Sequence, residues 1–506
     1  MRRISTMRGI AAAALGLLAT LGVSAVSSSA AAASADYTNG YNLGKQAFEY
    51  GMPLLDTERV FRTETSVNVP DGSGDGPVNQ FSNLPKLSIP TPSQQTVVAP
   101  NSDTLYSIAW LDLSQQPQVV HVPAIANRFY TLELLSPWTE NFYNISNVSG
   151  PASSGTYQLT TGGDFVVVPP GYTGTVPAGV RVIHSPYNRV WILGRTLIRG
   201  EADTPAVNAI QAQYQVSPLS AYGHPYTPPT PANPVTTPTF ATVPGTQPGE
   251  DPLAFYTALD QELTHFAPMA ADAPLLAKLR SIDVGAGLNP VTDSSLSADT
   301  LAGMRAAVTD GPANLKNELK QLYLTNSLSH NGYLIVSTGT YGANYQLRAI
   351  VDKIGLGANL PNVAVYPLAQ TDRLLQSLTG ATKYVLHIPA GKLPPTSEGF
   401  WSLTMYDSNG FFVPNSLNRY VMNDRTDFHK NADGSIDIYI QAKAPTNPAQ
   451  LQNWLPAPAG AFHVIWRLYG TGTALPGILN GSGWQPPAIQ HCLLGIGLPN
   501  LTPCAS

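Results

Sequence analysis

Residues 225–252, PYTPPTPANPVTTPTFATVPGTQPGEDP, hold nine prolines in 28 positions. Proline fixes its own φ and has no amide hydrogen, so a stretch this dense runs through neither a regular helix nor the middle of a sheet. It reads as an extended arm or inter-domain linker. A ligand for a proline-recognition domain is the sharper alternative. The rest of the chain therefore folds on either side of it. The constraint recurs at lower density throughout, with 43 Gly and 45 Pro among 506 residues. Charged residues make only 12% of the chain, about half the usual share. That balance favours turn-rich β structure over helical bundles, in a chain long enough for two or three cores.

Before the arm, residues 38–62 read as a helix broken near Gly51-Met52-Pro53, and 64–95 as mostly loop. TLYSIAWLDL, FYTLELL, DFVVVPP and RVWILGRTLI, within 96–200, are rich in β-branched and aromatic residues. Gly162-Gly163, Pro169-Pro170-Gly171 and Ser185-Pro186 separate them, which is strand-and-turn patterning. After the arm, 253–280, 297–330 and 341–356 carry helical periodicity, with starts at Asp251-Pro252 and Ser297. Residues 381–470 return to strands, with turns at Asp407-Ser408-Asn409-Gly410 and Asn431–Ser435. The expected fold is mainly β with α segments: two antiparallel jelly-roll-like β-sandwiches joined by a Pro-rich linker and a helical region. The expected division is a leader at 1–35, an N-terminal sandwich with its leading helix at 36–224, and the linker at 225–252. A helical segment at 253–360, a C-terminal sandwich at 361–480 and a tail at 481–506 follow.

MRRISTMR followed by an Ala/Leu/Val run and Ala33-Ser34-Ala35 fits a secretory leader cleaved near Ala35. Three arginines and no acid leave with it, so the formal charge moves from −5 to −8. No later stretch reaches the ~20 apolar residues of a membrane span. No Lys/Arg cluster stands out, which argues against nucleic acid. The expected protein is exported, secreted or held in the cell envelope, and compatible with an oligomer. The cysteines are Cys492 and Cys504. In an oxidising compartment they form one disulfide that pins the tail, worth roughly 3 kcal/mol.

There is no G-x-S-x-G, phosphate loop, H-E-x-x-H or C-x-x-C. His387 and His463 sit on predicted strands, where a structural role outweighs a metal-binding one, so neither a metal site nor a cofactor is assigned. What remains is an inventory of rings, amides and carboxylates. NSDTLYSIAWLD supplies Asn101, Asp103, Tyr106 and Asp112, and RFYTLELLSPWTENF supplies Trp138 and Glu140. YGANYQLR sets Tyr341 with Tyr345 and Asn344 with Arg348 at i, i+4 helical spacing. Trp401, Tyr406, Arg419 and the Arg467-x-Tyr469 pair complete it. Rings beside Asn, Asp and Arg suit sugar recognition, and paired carboxylates would add acid/base cleavage.

On these residues the chain resembles the bacterial proteins that join domain-of-unknown-function families 1254 and 1214. PNSDTLYSIAWLDLS, NRFYTLELL and VWILGRT carry the first resemblance. YGANYQLRA, GLGANLPNVAVYP, PPTSEGFWSLTMYDSNGFFV, DGSIDIYIQ, NWLPAP and FHVIWRLY carry the second. The resemblance implies two jelly-roll-type sandwiches with helical segments between them, an architecture likened to amide-cleaving enzymes acting on glycoproteins. It transfers no catalytic residue set. Ser136 and Glu140 depart from the family's usual Asp and its Asp or Asn.

The expected function is a hydrolase acting on carbohydrate or glycoconjugate. Asp103 and Asp372 are the acid/base candidates, with Asp112 and Glu140 in reserve. Asn101, Tyr106, Trp138, Tyr341, Asn344, Arg348, Trp401 and Arg419 are the candidate ligand-binding residues. The competing expectation is a non-catalytic envelope or secreted protein that binds a glycan or lipid-like ligand.

Overall fold

The computed structural model describes residues 33–87, 99–148, 157–159, 162–234, 242–293, 295–327 and 330–492. The leader through residue 32, and Cys504 with its pairing to Cys492, lie outside the described residues.

The N-terminal strands are β1 (Ser82–Asn83), β2 (Thr104–Asp112), β3 (Gln118–Val122), β4 (Tyr130–Leu135), β5 (Asn141–Ser146), β6 (Tyr157–Leu159), β7 (Gly163–Val168), β8 (Arg181–His184), β9 (Arg189–Leu197) and β10 (Gln215–Pro218). They form a six-stranded sheet, β1-β2-β9-β4-β5-β6, and a four-stranded sheet, β10-β3-β7-β8. Leu111, Leu132, Leu134 and Ile192 of the first meet Val120, Val122, Phe165 and Val167 of the second in one core. The C-terminal strands are β11 (Ala364–Val365), β12 (Leu368–Ala369), β13 (Tyr384–Ile388), β14 (Trp401–Asp407), β15 (Val421–Asn423), β16 (Ile436–Gln441), β17 (Trp454–Pro456), β18 (Phe462–Tyr469) and β19 (Ile489–His491). They form β11-β18-β14-β15, with β12 also on β18, and β17-β16-β13-β19. The second core lies between these sheets.

The protein is thus mainly β with helical segments, and sandwich-like in both halves. Strand pairing is mixed, a correction to the all-antiparallel expectation: β5–β6, β7–β8 and β16–β17 run parallel. The turn at Asp407–Phe411 forms, with the Asp407 carboxylate accepting from the amides of Asn409 (2.8 Å) and Phe411 (3.0 Å). The strand that returns onto β14 is nevertheless β15, ten residues further on.

The helices are α1 (Ala35–Glu64), α2 (Thr204–Gln211), α3 (Ala254–His265), α4 (Ala273–Leu279), α5 (Ala298–Ser327), α6 (Tyr345–Gly355), α7 (Pro448–Gln452) and α8 (Leu475–Leu479). α1 runs unbroken through Pro53, against the expected break. Proline costs about 3 kcal/mol in an isolated helix interior. Here Phe48, Tyr50, Met52, Leu54 and Leu55 are buried on both sides of it, each worth about 1.5–3 kcal/mol, so packing wins. A second correction concerns 341–356. The helix begins only at Tyr345, because Gly342 takes φ +54° and Asn344 caps the Leu347 amide at 3.1 Å. Tyr341 and Asn344 therefore precede the helix and are not i, i+4 partners on it.

The helices cover the face of the six-stranded sheet that the sandwich leaves open. Val60 and Phe61 of α1 pack on Ile108, Trp110, Trp191 and Leu193. Trp110 and Trp191 are cross-strand partners with rings 5.2 Å apart and 5° from parallel. That sheet is buried on both faces, which is why β9 reads as a continuous apolar run rather than an alternating one.

α1 and α5 cross in backbone contact at two glycines. A Cβ on Gly40 would lie 2.2 Å from the Thr300 carbonyl oxygen, and one on Gly303 would lie 2.2 Å from that of Tyr37. Gly303→Ala should therefore lower stability by about 2–3 kcal/mol or more, read as a lower urea midpoint at unchanged m-value. Gly355→Ala, with open space around it, should stay within about 1 kcal/mol of the parent. Equal effects would show that the crossing does not govern stability.

Asp260 gives a pH prediction. One carboxylate oxygen accepts the Gly285 amide at 2.7 Å, and the other is buried without a partner. Burial pushes the carboxyl up to about 8, opposed by the Gly285 amide. The folded state then holds this proton more tightly than the unfolded chain. The associated stability is complete at acid pH and drains as the pH rises to about 8, by at most about 1.4 kcal/mol per pH unit. Asp260→Asn should be more stable than the parent at pH 8, with the gap closing toward pH 5. Parallel stability–pH curves would refute the assignment.

Candidate functional site

The open face of the six-stranded sheet continues beyond the helices and meets the outer face of β14–β18. Alternation decides which side chains arrive there. On β2 and β9, Tyr106 and Arg195 are cross-strand partners on the same face as Ile108 and Leu193. On β18, Ile465, Arg467 and Tyr469 face outward while Val464, Trp466 and Leu468 fill the sandwich core. Thr404 and Tyr406 do the same on β14. The result is a seam between the two sandwiches lined by two arginines and four tyrosines, the fourth being Tyr366 on the β11–β12 link.

Arg195 is fixed. It pairs with buried Glu133 of β4, donates to the Gly357 carbonyl at 2.7 Å, and lies 5.3 Å from the Tyr106 ring. Glu133 also accepts from Asn141 at 3.1 Å. Arg467, 4% exposed, is different. It donates to the Thr404 hydroxyl at 3.1 Å and the Ala99 carbonyl at 2.7 Å, and stands 5.6 Å from the Tyr406 ring. No carboxylate pairs with it among the described residues; its electrostatic neighbours are the phenols of Tyr406, Tyr469 and Tyr106. Tyr106 and Tyr469 also lie in the field of Arg195.

Burial raises the phenols. Tyr406 is pushed up to about 12, opposed by Arg467, and Tyr366 and Tyr469 are raised too. These groups are proton-bearing donors at neutral pH. His463, stacked on Tyr406 with ring centres 5.4 Å apart, is held neutral, because burial lowers it to about 4. The seam therefore offers fixed positive charge, hydroxyl donors and ring faces. Its carboxylate, Glu133, is closed in an ion pair. Tyr106, Tyr366, Ala99 and Pro100 are half-buried and form its rim. A separate recess of about 550 Å³ between α1 and α3, lined by residues including Arg62, Asp251, Gln261 and Glu262, shares no residue with the seam.

The Asn101-Ser102-Asp103 turn closes one end. The Asn101 side-chain Oδ1 accepts the Asp103 backbone amide at 2.6 Å, the local turn expected of such a sequence. Its amide nitrogen donates to the Tyr469 hydroxyl at 2.7 Å, across to the other sandwich. Asp103 accepts from Asn423 at 2.9 Å and from Arg425 at 2.6 Å. Tyr406 donates its hydroxyl to the Pro100 carbonyl at 2.6 Å. The stretch is both a turn and a clamp between the halves.

The remaining predicted residues fall in several places. Asp372 accepts the amides of Leu374 (2.7 Å) and Gln376 (3.0 Å) and pairs with His491. No interaction among the described residues joins it to Asp103. Exposed Asp112 caps a turn through the Ser114 amide at 2.8 Å. Trp401 points into the sandwich core against Trp466. Arg419 holds the carbonyls of Leu451, Gln452 and Trp454. Asn344 is the α6 cap. Trp138, Glu140, Tyr341 and Arg348 are brought together: Glu140 accepts the amides of Tyr341 (2.9 Å) and Gly342 (3.1 Å), and Arg348 lies 5.3 Å from the Trp138 ring. His387 pairs with Asp437. Among the described residues, no group of three or more His, Cys, Asp or Glu is placed to hold a metal ion. No helix of the described residues is long and apolar enough to cross a membrane.

Sequence reasoning missed Arg195 and Tyr366, and it placed Tyr406, Arg467 and Tyr469 in the inventory of rings and polar groups without carrying them into the ligand-binding set. The available signal was an arginine inside an otherwise apolar strand, in VWILGRT and FHVIWRLY. A charge in such a strand is either paired or functional.

Two sandwiches with a polar seam between them, and a helical layer across one sheet, define the architectural class. Within it, residues 78–218 match family 1254 and residues 363–473 match family 1214, each described as a protein of unknown function. The chain carries one segment matching each family, in that order from the N-terminus. Every seam residue on a strand, together with Asn101, Asp103 and Tyr366, falls inside the two matched segments. Among solved structures, the VPA0106 protein from Vibrio parahaemolyticus is similar at 24% identity and a TM-score of 0.59, covering 89% of this chain and 99% of that one. An uncharacterised protein from Burkholderia cenocepacia aligns at 12% identity and a TM-score of 0.40, covering 90% and 95%. No curated protein sequence matches.

The clamp is testable. Arg425→Ala would leave Asp103, 1% exposed, as an uncompensated buried carboxylate, at a cost of about 3 kcal/mol. The paired change Arg425→Ala with Asp103→Ala should recover part of that loss. A single variant with parental stability in urea would show that the pair contributes nothing to holding the halves together.

Proposed function

We propose that the protein is an exported binding protein whose inter-sandwich seam takes an acidic carbohydrate or glycoconjugate fragment. The carrying observation is Arg467, buried and without a carboxylate partner among phenols. A guanidinium so placed suits a ligand carboxylate bidentately. The Tyr106 face suits the C–H face of a sugar, and the tyrosine hydroxyls suit its hydroxyls. The leader-like N-terminus supports export.

Hydrolysis of the same ligand class is the competing reading, and it needs two carboxylates flanking one bond. Asp103 and Asp372 are engaged with different partners, Arg425 and His491. The raised phenols offer no base at neutral pH. Binding is therefore the reading better supported.

The test is calorimetric titration with uronate-containing oligosaccharides and their neutral counterparts. Acidic ligands should bind at least tenfold more tightly. Arg467→Met should weaken them by about 10- to 100-fold, Arg467→Lys by less, and thermal melting should confirm that both variants fold. Equal affinity for neutral and acidic ligands, or an Arg467→Met variant that binds like the parent, would overturn the proposal. Release of new reducing ends on long incubation would replace it with the hydrolase reading.

A further inference from the structure

We propose that Arg348 and the rings around it form a second binding site, separate from the seam, that takes a small planar carboxylate. Arg348 stands in the first turns of α6, which packs on α1, while Trp138 and Glu140 come from the β4–β5 connection. Three rings wall the guanidinium: Trp138 and Tyr345 at 5.3 Å and Tyr50 at 5.7 Å. Tyr50 packs on Trp138 at 4.8 Å and edge-on to Tyr345 at 5.3 Å, so the walls are continuous. Asp272 fixes two of them from behind, accepting the Tyr50 hydroxyl at 3.2 Å and the Tyr345 hydroxyl at 3.0 Å.

The guanidinium itself is left unsatisfied. Arg348 is 0% exposed, and Nε and both terminal nitrogens are buried without a hydrogen-bond acceptor. Its nearest ion-pair contact is Glu140, whose Oε1 lies 3.8 Å from a terminal nitrogen, within ion-pair distance but beyond hydrogen-bond reach. Both Glu140 oxygens already accept backbone amides. Asp352, one turn further along α6, makes no ion pair among the described residues, and neither of its oxygens has a hydrogen-bond partner there. Burial raises its carboxyl well above the ordinary range, which disfavours its charged form.

Five N–H donors in a flat fork match a planar carboxylate, and aromatic walls accept its apolar body. The nearby Glu140 and Asp272 disfavour a doubly charged tetrahedral anion. Tyr345, Tyr187 and Glu140 are partly exposed, so the cluster reaches solvent through them.

The test titrates the chain without its leader with sodium acetate and sodium benzoate, using sulfate as the tetrahedral control at constant ionic strength. One carboxylate or both should give a saturable one-to-one heat, with sulfate at least tenfold weaker. Arg348→Gln should abolish it. Glu140→Gln removes the competing negative charge and should tighten binding on the order of tenfold. That second variant keeps the question open to refutation if Arg348→Gln does not fold. Heat that persists in Arg348→Gln and is lost in Arg467→Met would place the carboxylate in the seam and overturn the assignment. Absence of saturable heat from both carboxylates would overturn the proposal. Weaker binding in Glu140→Gln would do the same, because Glu140 would then be the internal counter-ion of Arg348.

Discussion

The outer faces of two β-sheets are packed against each other and hydrogen-bonded across the join, and the rest of the structure follows from that contact. In an ordinary sandwich one face of each sheet is solvated and takes the charges. Here the six-stranded sheet has its second face covered by α1, α6 and the other sandwich. Every polar group on that face must find a partner inside the protein or be costly to bury. Most do. Arg195 meets Glu133, Arg128 meets Asp203, Arg189 meets Glu58, and Arg425 meets Asp103. Buried pairs of this kind add little net stability, but each is strongly unfavourable to break on one side. They fix which surface lies against which.

Local patterning carried much of the fold into the sequence. The strands TLYSIAWLDL, FYTLELL and RVWILGRTLI announce themselves by β-branched and aromatic content, and the expected turns at 407–411 and 431–435 form. Asn344 is a helix cap by its residue type alone. What failed was local chemistry overruled at long range. Pro53 should end a helix, yet α1 is held on both sides of it by α3, α5 and α6. The parallel pairs β5–β6, β7–β8 and β16–β17 join strands that follow one another in the chain, and no local period encodes whether the second strand returns parallel or antiparallel.

The site was less legible than the fold for the same reason. Asn101, Tyr106, Trp138, Glu140, Tyr341 and Arg348 were selected as residue types, and each does lie in or beside a buried polar cluster. Which of them share a cluster depends on register. Tyr106 faces Arg195 only because β2 and β9 pair at those residues. Arg467 joins them only because β18 turns that face away from its own core. Asp103 and Asp372 looked equivalent as carboxylates, and their surroundings differ entirely: one clamps two sandwiches, the other caps a turn.

The arginines allow a sharper distinction between scaffold and site. A buried guanidinium with a carboxylate in contact is explained by the fold that it braces. Arg467 and Arg348 are buried as deeply, yet the first answers only to a hydroxyl, a carbonyl and phenols, and the second to rings and to a Glu140 carboxylate that stays 3.8 Å away and accepts two backbone amides instead. Each could have been an apolar residue at lower cost, since replacing buried charge by well-packed hydrophobic groups is commonly neutral or stabilising. Their placement is hard to account for by packing and follows naturally if a negative charge from outside the chain completes them. Both stand among rings, where the low local dielectric strengthens any such contact. The two therefore share one logic: a positive charge that the fold positions and desolvates without hydrogen-bonding it to a carboxylate of its own.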